Sequence, residues 1–257
     1  MTTRTPTKHQ RLRGANWPRN STTAHLTGWS DRAYPRQVIS LAESRDTVAA
    51  RGFVLAKGCA ADDLLPIANG FGSVSWDPRY PVQARCISPV PAPDAPPNTL
   101  TSRFGLGSFP FHTDSAHWRI PTRFLIMYCE HPGAGNRPTL LLDTHSAAWR
   151  DAVGGRMPNA VWSAALAHPF LCLARTPDGD AERWRYNAEC MRPVSPSAMK
   201  EAPLIAHAVR SVPARAHHWS AGDLLILDNR RVLHARGEAS TPDLDRRIVR
   251  LLIGGEP

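Results

Sequence analysis

At 257 residues and 42% hydrophobic content, the chain suits one domain with an ordinary globular core. No apolar run approaches the roughly 20 residues of a membrane span, and the opening MTTRTPTKHQRLRG is basic without an apolar stretch, so neither a membrane anchor nor a secretory signal is expected. The net charge of +9 invites a nucleic-acid partner, but +6 of it lies in residues 1–36, where Asp31 alone opposes seven Lys and Arg, and no nucleic-acid motif accompanies it.

That first segment, rich in Thr, Arg, Asn and Pro, reads as a flexible basic extension, and residues 37–257 as a single domain. QVISLAESRDTVAARG (37–52) has helical spacing and stops at glycine; FVLAKG (53–58) reads as a short strand, and AADDLLPIANGFG (60–72) as a helix with an acidic first turn. PVPAPDAPP (89–97) is a stiff extended connection with no ladder hydrogen bonds. TRFLIMYCE (122–130) is the near-continuous apolar run of a buried strand, HPGAGNRP (131–138) a turn, and TLLLDT (139–144) a further strand. HSAAWRDAVGG (145–155) and NAVWSAALAH (159–168) look helical, and 169–193 reads as loop with short strands. Near the end come the strand DLLILD, an Asn-bearing turn, the strand RVLHA and the alternating DRRIVRLLIGG. The sum is a mostly antiparallel β core with helices packed outside it. Five scattered cysteines without a CxxC pair argue against a disulfide framework or structural zinc, and for a reducing cytoplasm.

The chemistry concentrates around SFPFHTDSAHW (108–118). In a strand, side chains two apart share a face, so His112 and Asp114 would offer an imidazole and a carboxylate side by side. A lone His-x-Asp arises by chance, and the bland reading is two polar residues on a solvent-facing strand. Three features weigh against that. His234, far downstream after a strand and an Asn turn, is a candidate third ligand for a two-histidine, one-carboxylate divalent metal site. Arg246, which strand parity places with Ile248 and Arg250 and opposite Arg247, offers a planar fork for a buried carboxylate. Thr139 could donate a second hydrogen bond to the same carboxylate.

HTD, PTLLLD, LLILDNRRVLHAR and DRRIVR resemble, in order and approximate spacing, the TauD/TfdA and clavaminate synthase-like Fe(II)/2-oxoglutarate-dependent dioxygenases. The resemblance spans about 50–253 and is concentrated in 108–143 and 222–252. It implies an α+β fold with a double-stranded β-helix (jelly roll) core flanked by helices. It implies His112, Asp114 and His234 as Fe(II) ligands, with 2-oxoglutarate and O2 as co-substrates. It further implies Thr139 and Arg246 as 2-oxoglutarate contacts, with Arg250, four residues on, binding substrate or supporting the first arginine. Many members carry a GG-x-T turn where this chain has GAGNRPT, and His-Gly where it has His234-Ala235. Because related halogenases lack the carboxylate ligand, Asp114 favours hydroxylation, with desaturation, epoxidation and cyclisation as other outcomes.

Arg103, Ser115, His117 and Trp118 are candidate substrate contacts; at the same positions they also suit a strand end or core packing. His131, His145 and His168 read as structural, and His217 and His218 face opposite ways, which separates them as ligands. The expected reaction is oxidation of an unactivated C–H bond of a small carboxylate-bearing substrate, an amino acid or natural-product intermediate. A sulfonate or aryloxy acid is the alternative substrate, and a non-catalytic jelly-roll binding protein the alternative class. Oligomeric state is left open.

Overall fold

The computed structural model describes residues 40–77, 83–165 and 168–255. The basic segment 1–36 lies outside the described residues. In chain order the elements are α1 (Leu41–Arg51), β1 (Phe53–Ala56), α2 (Leu64–Phe71), β2 (Arg85–Ile87), α3 (Leu100–Phe104), β3 (Phe109–His112), β4 (Phe124–His131) and β5 (Thr139–Asp143). They continue with α4 (Ala147–Val153), β6 (Val161–Ala164), β7 (Phe170–Leu173), β8 (Arg175–Asp178), β9 (Ala181–Trp184), β10 (Met191–Pro193) and α5 (Pro196–Ser211). β11 (Arg215–His217), β12 (Leu224–Asp228), β13 (Val232–Arg236) and β14 (Arg247–Ile253) close the chain.

Two sheets carry the core. One runs β1-β12-β4-β14-β2, the other β11-β5-β13-β3, and every pairing in both is antiparallel. Strands β4 and β12 are central in the first sheet and apolar on both faces, which explains why their sequences do not alternate. On one face Ile126, Leu224, Ile226 and Leu251 meet Val48 of α1 and Ala68 and Phe71 of α2. On the other, Leu125, Met127, Leu225, Leu227 and Ile248 meet Leu141, Val232 and Trp219, so this layer joins the two sheets. The far side of the second sheet, through Leu142 and Leu233, packs on Trp149 of α4, Ile205 of α5, and Trp162 and Trp184. Each such side chain, fully buried, contributes about 1.5–3 kcal/mol.

Several stretches depart from the sequence reading, among them 89–97, read as extended, where Ala92–Asp94 makes a 3-10 turn. The pattern of residues 159–168 predicts a helix, but Val161–Ala164 is the strand β6, paired with both β7 and β10. Its burial alternates, with Trp162 and Ala164 inward, and tertiary pairing overrides the helix propensity of the Ala-rich run. Residues 196–211, where the sequence pattern marks no element, form α5, the longest helix among the described residues. Pro203 reads as a breaker, yet Ser195 caps the helix by accepting from Ala198 N at 3.2 Å, Pro196 sits in the first turn, and Ala198, Ile205 and Ala208 bury one face.

Candidate metal centre and active site

β13 runs between β5 and β3, and the register places His234 directly opposite His112. The imidazole rings lie 4.4 Å apart between centroids. The strand expected through Asp114 ends earlier, at His112, and Ser115 takes a left-handed φ of 55°. Asp114 therefore reaches His112 from a turn rather than from strand parity. That turn is pinned. Asn229, wholly buried at the β12–β13 corner, accepts from Asp114 N (2.9 Å) and donates to the carbonyls of Asp114 (3.0 Å) and Thr122 (2.9 Å). The Ser115 hydroxyl donates to Asp114 O at 2.6 Å and accepts from Thr122 N at 2.8 Å.

His112, Asp114 and His234 are all buried, and their ligand atoms lie within 4.8 Å of one another. Asp114 Oδ1 is 3.5 Å from His112 Nε2, and Oδ2 is 3.9 Å from His234 Nε2. His112 Nδ1 faces the carbonyl of Pro110 at 2.9 Å, and a carbonyl only accepts, so that nitrogen carries a proton and Nε2 is the ring atom on the side of Asp114. Burial pushes the Asp114 carboxyl up, but Arg250, His112 and His234 outweigh it and hold it far below the usual carboxylate range. Burial, reinforced by His112, pushes His234 down to about 3. Two imidazole nitrogens and a carboxylate on one face are the donor set of a facial non-haem iron site, and the neutral ring and ionised carboxylate are the forms that bind a metal.

Both residues expected at the co-substrate end line the same cavity, of about 210 Å3, as the metal group. Arg246, 6% exposed, has a buried Nε without a hydrogen-bond partner among the described residues. Arg247 instead lies 3.7 Å from Glu130, and its side chain is 40% exposed; Arg246 precedes β14, whose register shifts between Arg247 and Ile248, so strand parity is not what turns Arg246 inward. Thr139, also buried, accepts from Trp219 Nε1 at 2.9 Å.

The turn GAGNRPT builds this end by close approach. Gly133 has φ +77°, and a Cβ there would come within 2.8 Å of Arg246 Cβ; one at Gly135 would meet Thr241 O at 2.5 Å. Arg137 within the turn is buried and forms two 3.0 Å bonds to Asp243 through Nε and Nη2. It also donates to the carbonyls of Leu106, Gly107 and Gly237. Asp243 O in turn accepts from Arg246 N.

Arg250 lies on the cavity wall, and its Nη1 donates to Asp114 Oδ2 at 2.9 Å. Arg103, Ser115, His117 and Trp118 line the cavity as well. Arg103 of α3 pairs with Glu189, whereas Trp118 is also part of the apolar layer joining the sheets. Of the arginines around His234, Arg236 lines the cavity and is tied to the carbonyls of Gly105 and Gly107. Arg231 pairs with Asp143, and Arg230 bonds the carbonyls of Pro121 and Gly254. His145 faces Glu182 O and His131 faces Asp245, away from the metal group. His217 and His218 do diverge, toward Asp223 and Asn136 respectively.

Sequence reasoning missed Asn229, Arg137 and Trp219. Asn229 and Arg137 stand inside stretches already singled out and Trp219 just before one, but the role of each is a contact with a residue far away in the chain, which local pattern does not encode.

Residues 203–252 match the family described as "Taurine catabolism dioxygenase TauD, TfdA family". Among solved structures, asparagine oxygenase (AsnO) aligns with a TM-score of 0.62 and 19% identity, covering 83% of this chain and 76% of its own. A second structure of that enzyme holds Fe(II), 2S,3S-3-hydroxyasparagine and succinate. The non-heme iron oxygenase OrfP, in complex with Fe and alpha-ketoglutaric acid, aligns with a TM-score of 0.64 and 16% identity, covering 83% and 79%. PvcB from Pseudomonas aeruginosa gives 0.60 and 17%, covering 84% and 81%. The fold is the one these solved oxygenases share, and the described residues include a His-Asp-His group that could hold a metal ion. Over residues 203–252, from within α5 to β14, the chain is similar to the TauD/TfdA family.

Proposed function

We propose that the protein is a cytoplasmic Fe(II)/2-oxoglutarate-dependent oxygenase that oxidises an unactivated C–H bond of a small carboxylate-bearing substrate, an amino acid or a natural-product intermediate. The observation that carries this is one cavity holding a buried His-Asp-His group together with a buried arginine and threonine hydroxyl. His112, Asp114 and His234 would hold Fe(II). Arg246, whose buried Nε lacks an acceptor, and Thr139 would bind the far carboxylate of 2-oxoglutarate, a pairing that supplies the missing acceptor by charge-assisted hydrogen bonds. When bound, the iron with 2-oxoglutarate and O2 supplies oxidation of a C–H bond, with the co-substrate leaving as succinate and CO2.

The chain's own contribution is placement. Asn229 and Ser115 fix the turn that carries Asp114, and Arg250 holds one oxygen of its carboxylate. The Pro110 carbonyl fixes the His112 tautomer. We take the two main antiparallel sheets, joined by a shared apolar layer, as the halves of a jelly roll. On the cavity wall Arg103 and Glu189 offer opposite charges, which suits a zwitterion, and Arg85 adds a further cation; Ser115, His117 and Trp118 shape the same wall. The test is anaerobic addition of Fe(II) and then 2-oxoglutarate. A visible metal-to-ligand band is expected, and well-folded protein without it overturns the assignment. Succinate release across a panel of amino acids, sulfonates and aryloxy acids then selects the substrate.

A further inference from the structure

An indole Nε1–H is a donor and never an acceptor, whereas a threonine hydroxyl has one hydrogen and two acceptor lone pairs. Trp219 Nε1 donates to Thr139 Oγ1 at 2.9 Å, and both side chains are buried. The bond has only one polarity, so the Thr139 hydrogen cannot point back at the indole. Among the described residues no acceptor takes it. Thr139 lines the cavity that also holds Arg246, and Trp219 does not line it. The indole is itself held in place. His217 packs edge-on against it, with centroids 4.5 Å apart and planes at 72°, and His217 Nε2 lies 3.4 Å from Asp223. Asp223 caps its own turn by accepting from Ser220 N at 2.9 Å.

We propose that Trp219 is a positioning residue for the co-substrate: its one-way hydrogen bond fixes the Thr139 rotor so that the hydroxyl hydrogen is presented to the far carboxylate of 2-oxoglutarate. This rests on the assignment of Thr139 and Arg246 to that carboxylate. A hydroxyl that already accepts a hydrogen bond is also a better donor, so the indole strengthens the bond it aims. Thr139 would touch the ligand, and Trp219 acts only through it.

The test is equilibrium binding of 2-oxoglutarate to the Mn(II)-loaded protein in the absence of air, which reads affinity without turnover. Trp219→Phe keeps the apolar packing and removes the donor; a rise in Kd of about fivefold is expected, the worth of roughly one hydrogen bond. Thr139→Val should weaken binding at least as much, and Thr139→Ser should restore it. In the Thr139→Val background, Trp219→Phe should add nothing, because the two act as one unit. Equal factors in both backgrounds, or an unchanged Kd in the single variant, would overturn the proposal. A second measurement needs no variant to fold. In the Zn(II)-loaded wild type, the indole 15N–H resonance of Trp219 should move when 2-oxoglutarate is added, and a stationary resonance under saturating ligand counts against the proposal. Wild-type protein that binds Mn(II) but no 2-oxoglutarate would instead overturn the functional assignment itself.

Discussion

Arg250 donates to one carboxylate oxygen of Asp114, leaving Oδ1 on the side of His112. A guanidinium in that position limits how the carboxylate can rotate, which matters more for metal affinity than for substrate. Arg250→Ala is therefore expected to weaken Mn(II) or Fe(II) binding by about 10–100-fold, the usual effect of losing an outer partner of a ligand. Metal titration checks this: unchanged affinity with a raised KM would leave Arg250 to the substrate alone. Asn229 acts on the same aspartate through the backbone. Asn229→Ala leaves a buried N–H of Asp114 and a buried carbonyl of Thr122 short of partners. At about 1–3 kcal/mol for each buried unsatisfied group, a loss of about 3 kcal/mol in urea unfolding is expected. A change under about 1 kcal/mol would mean that water replaces the amide.

At the scale of elements, β5 and β13 are joined by their ladder and by Arg231, which donates to both Asp143 oxygens at 2.8 Å. Burial pushes the Asp143 carboxyl up, but hydrogen bonds from Arg231 and His145 N outweigh it and hold it below its usual value. A carboxylate depressed in the folded state stabilises above its unfolded pKa, near 3.9, and that contribution is lost as pH falls through the lower folded value. Wild type should thus exceed Asp143→Asn in stability at about pH 7, with the gap closing as the pH drops below about 4. A gap that persists in acid would show that packing, not charge, separates them. The turn between β4 and β5 is equally specific: Gly133→Ala would meet Arg246 Cβ at a backbone angle that L residues resist. Loss of 2-oxoglutarate affinity together with lower stability is expected, read by binding and melting. This is also the scale at which the sequence was most and least legible. The central strands β4 and β12 stood out because a short, nearly unbroken apolar run bounded by turn residues fits a strand buried on both faces. β6 did not, since Ala-rich segments favour helix until a neighbouring strand claims them. Helix α5 lies in a stretch to which the sequence reading gave no element, and tertiary packing tolerates its Pro203. His112 and His234 were readable as residue types in order, whereas the turn carrying Asp114 depends on Asn229, a partner no local pattern reveals.

For the molecule as a whole, a ligand that binds only the folded state adds stability by mass action. Mn(II) at about 100 times its Kd should add about 2.7 kcal/mol, raising the melting temperature of wild type but not of His112→Ala. Equal shifts in both would place the metal elsewhere. The pairing of His112 with His234 carries a further consequence, in time rather than in energy. β3 and β13 meet across more than a hundred residues of intervening chain, and β1 with β12 and β2 with β14 are comparably remote partners. Such a topology has high contact order, so the metal face is completed only after the slowest loops have closed. The cation then arrives too late to guide the search. Its presence should leave the refolding rate nearly unchanged and slow unfolding by the full factor that its affinity allows.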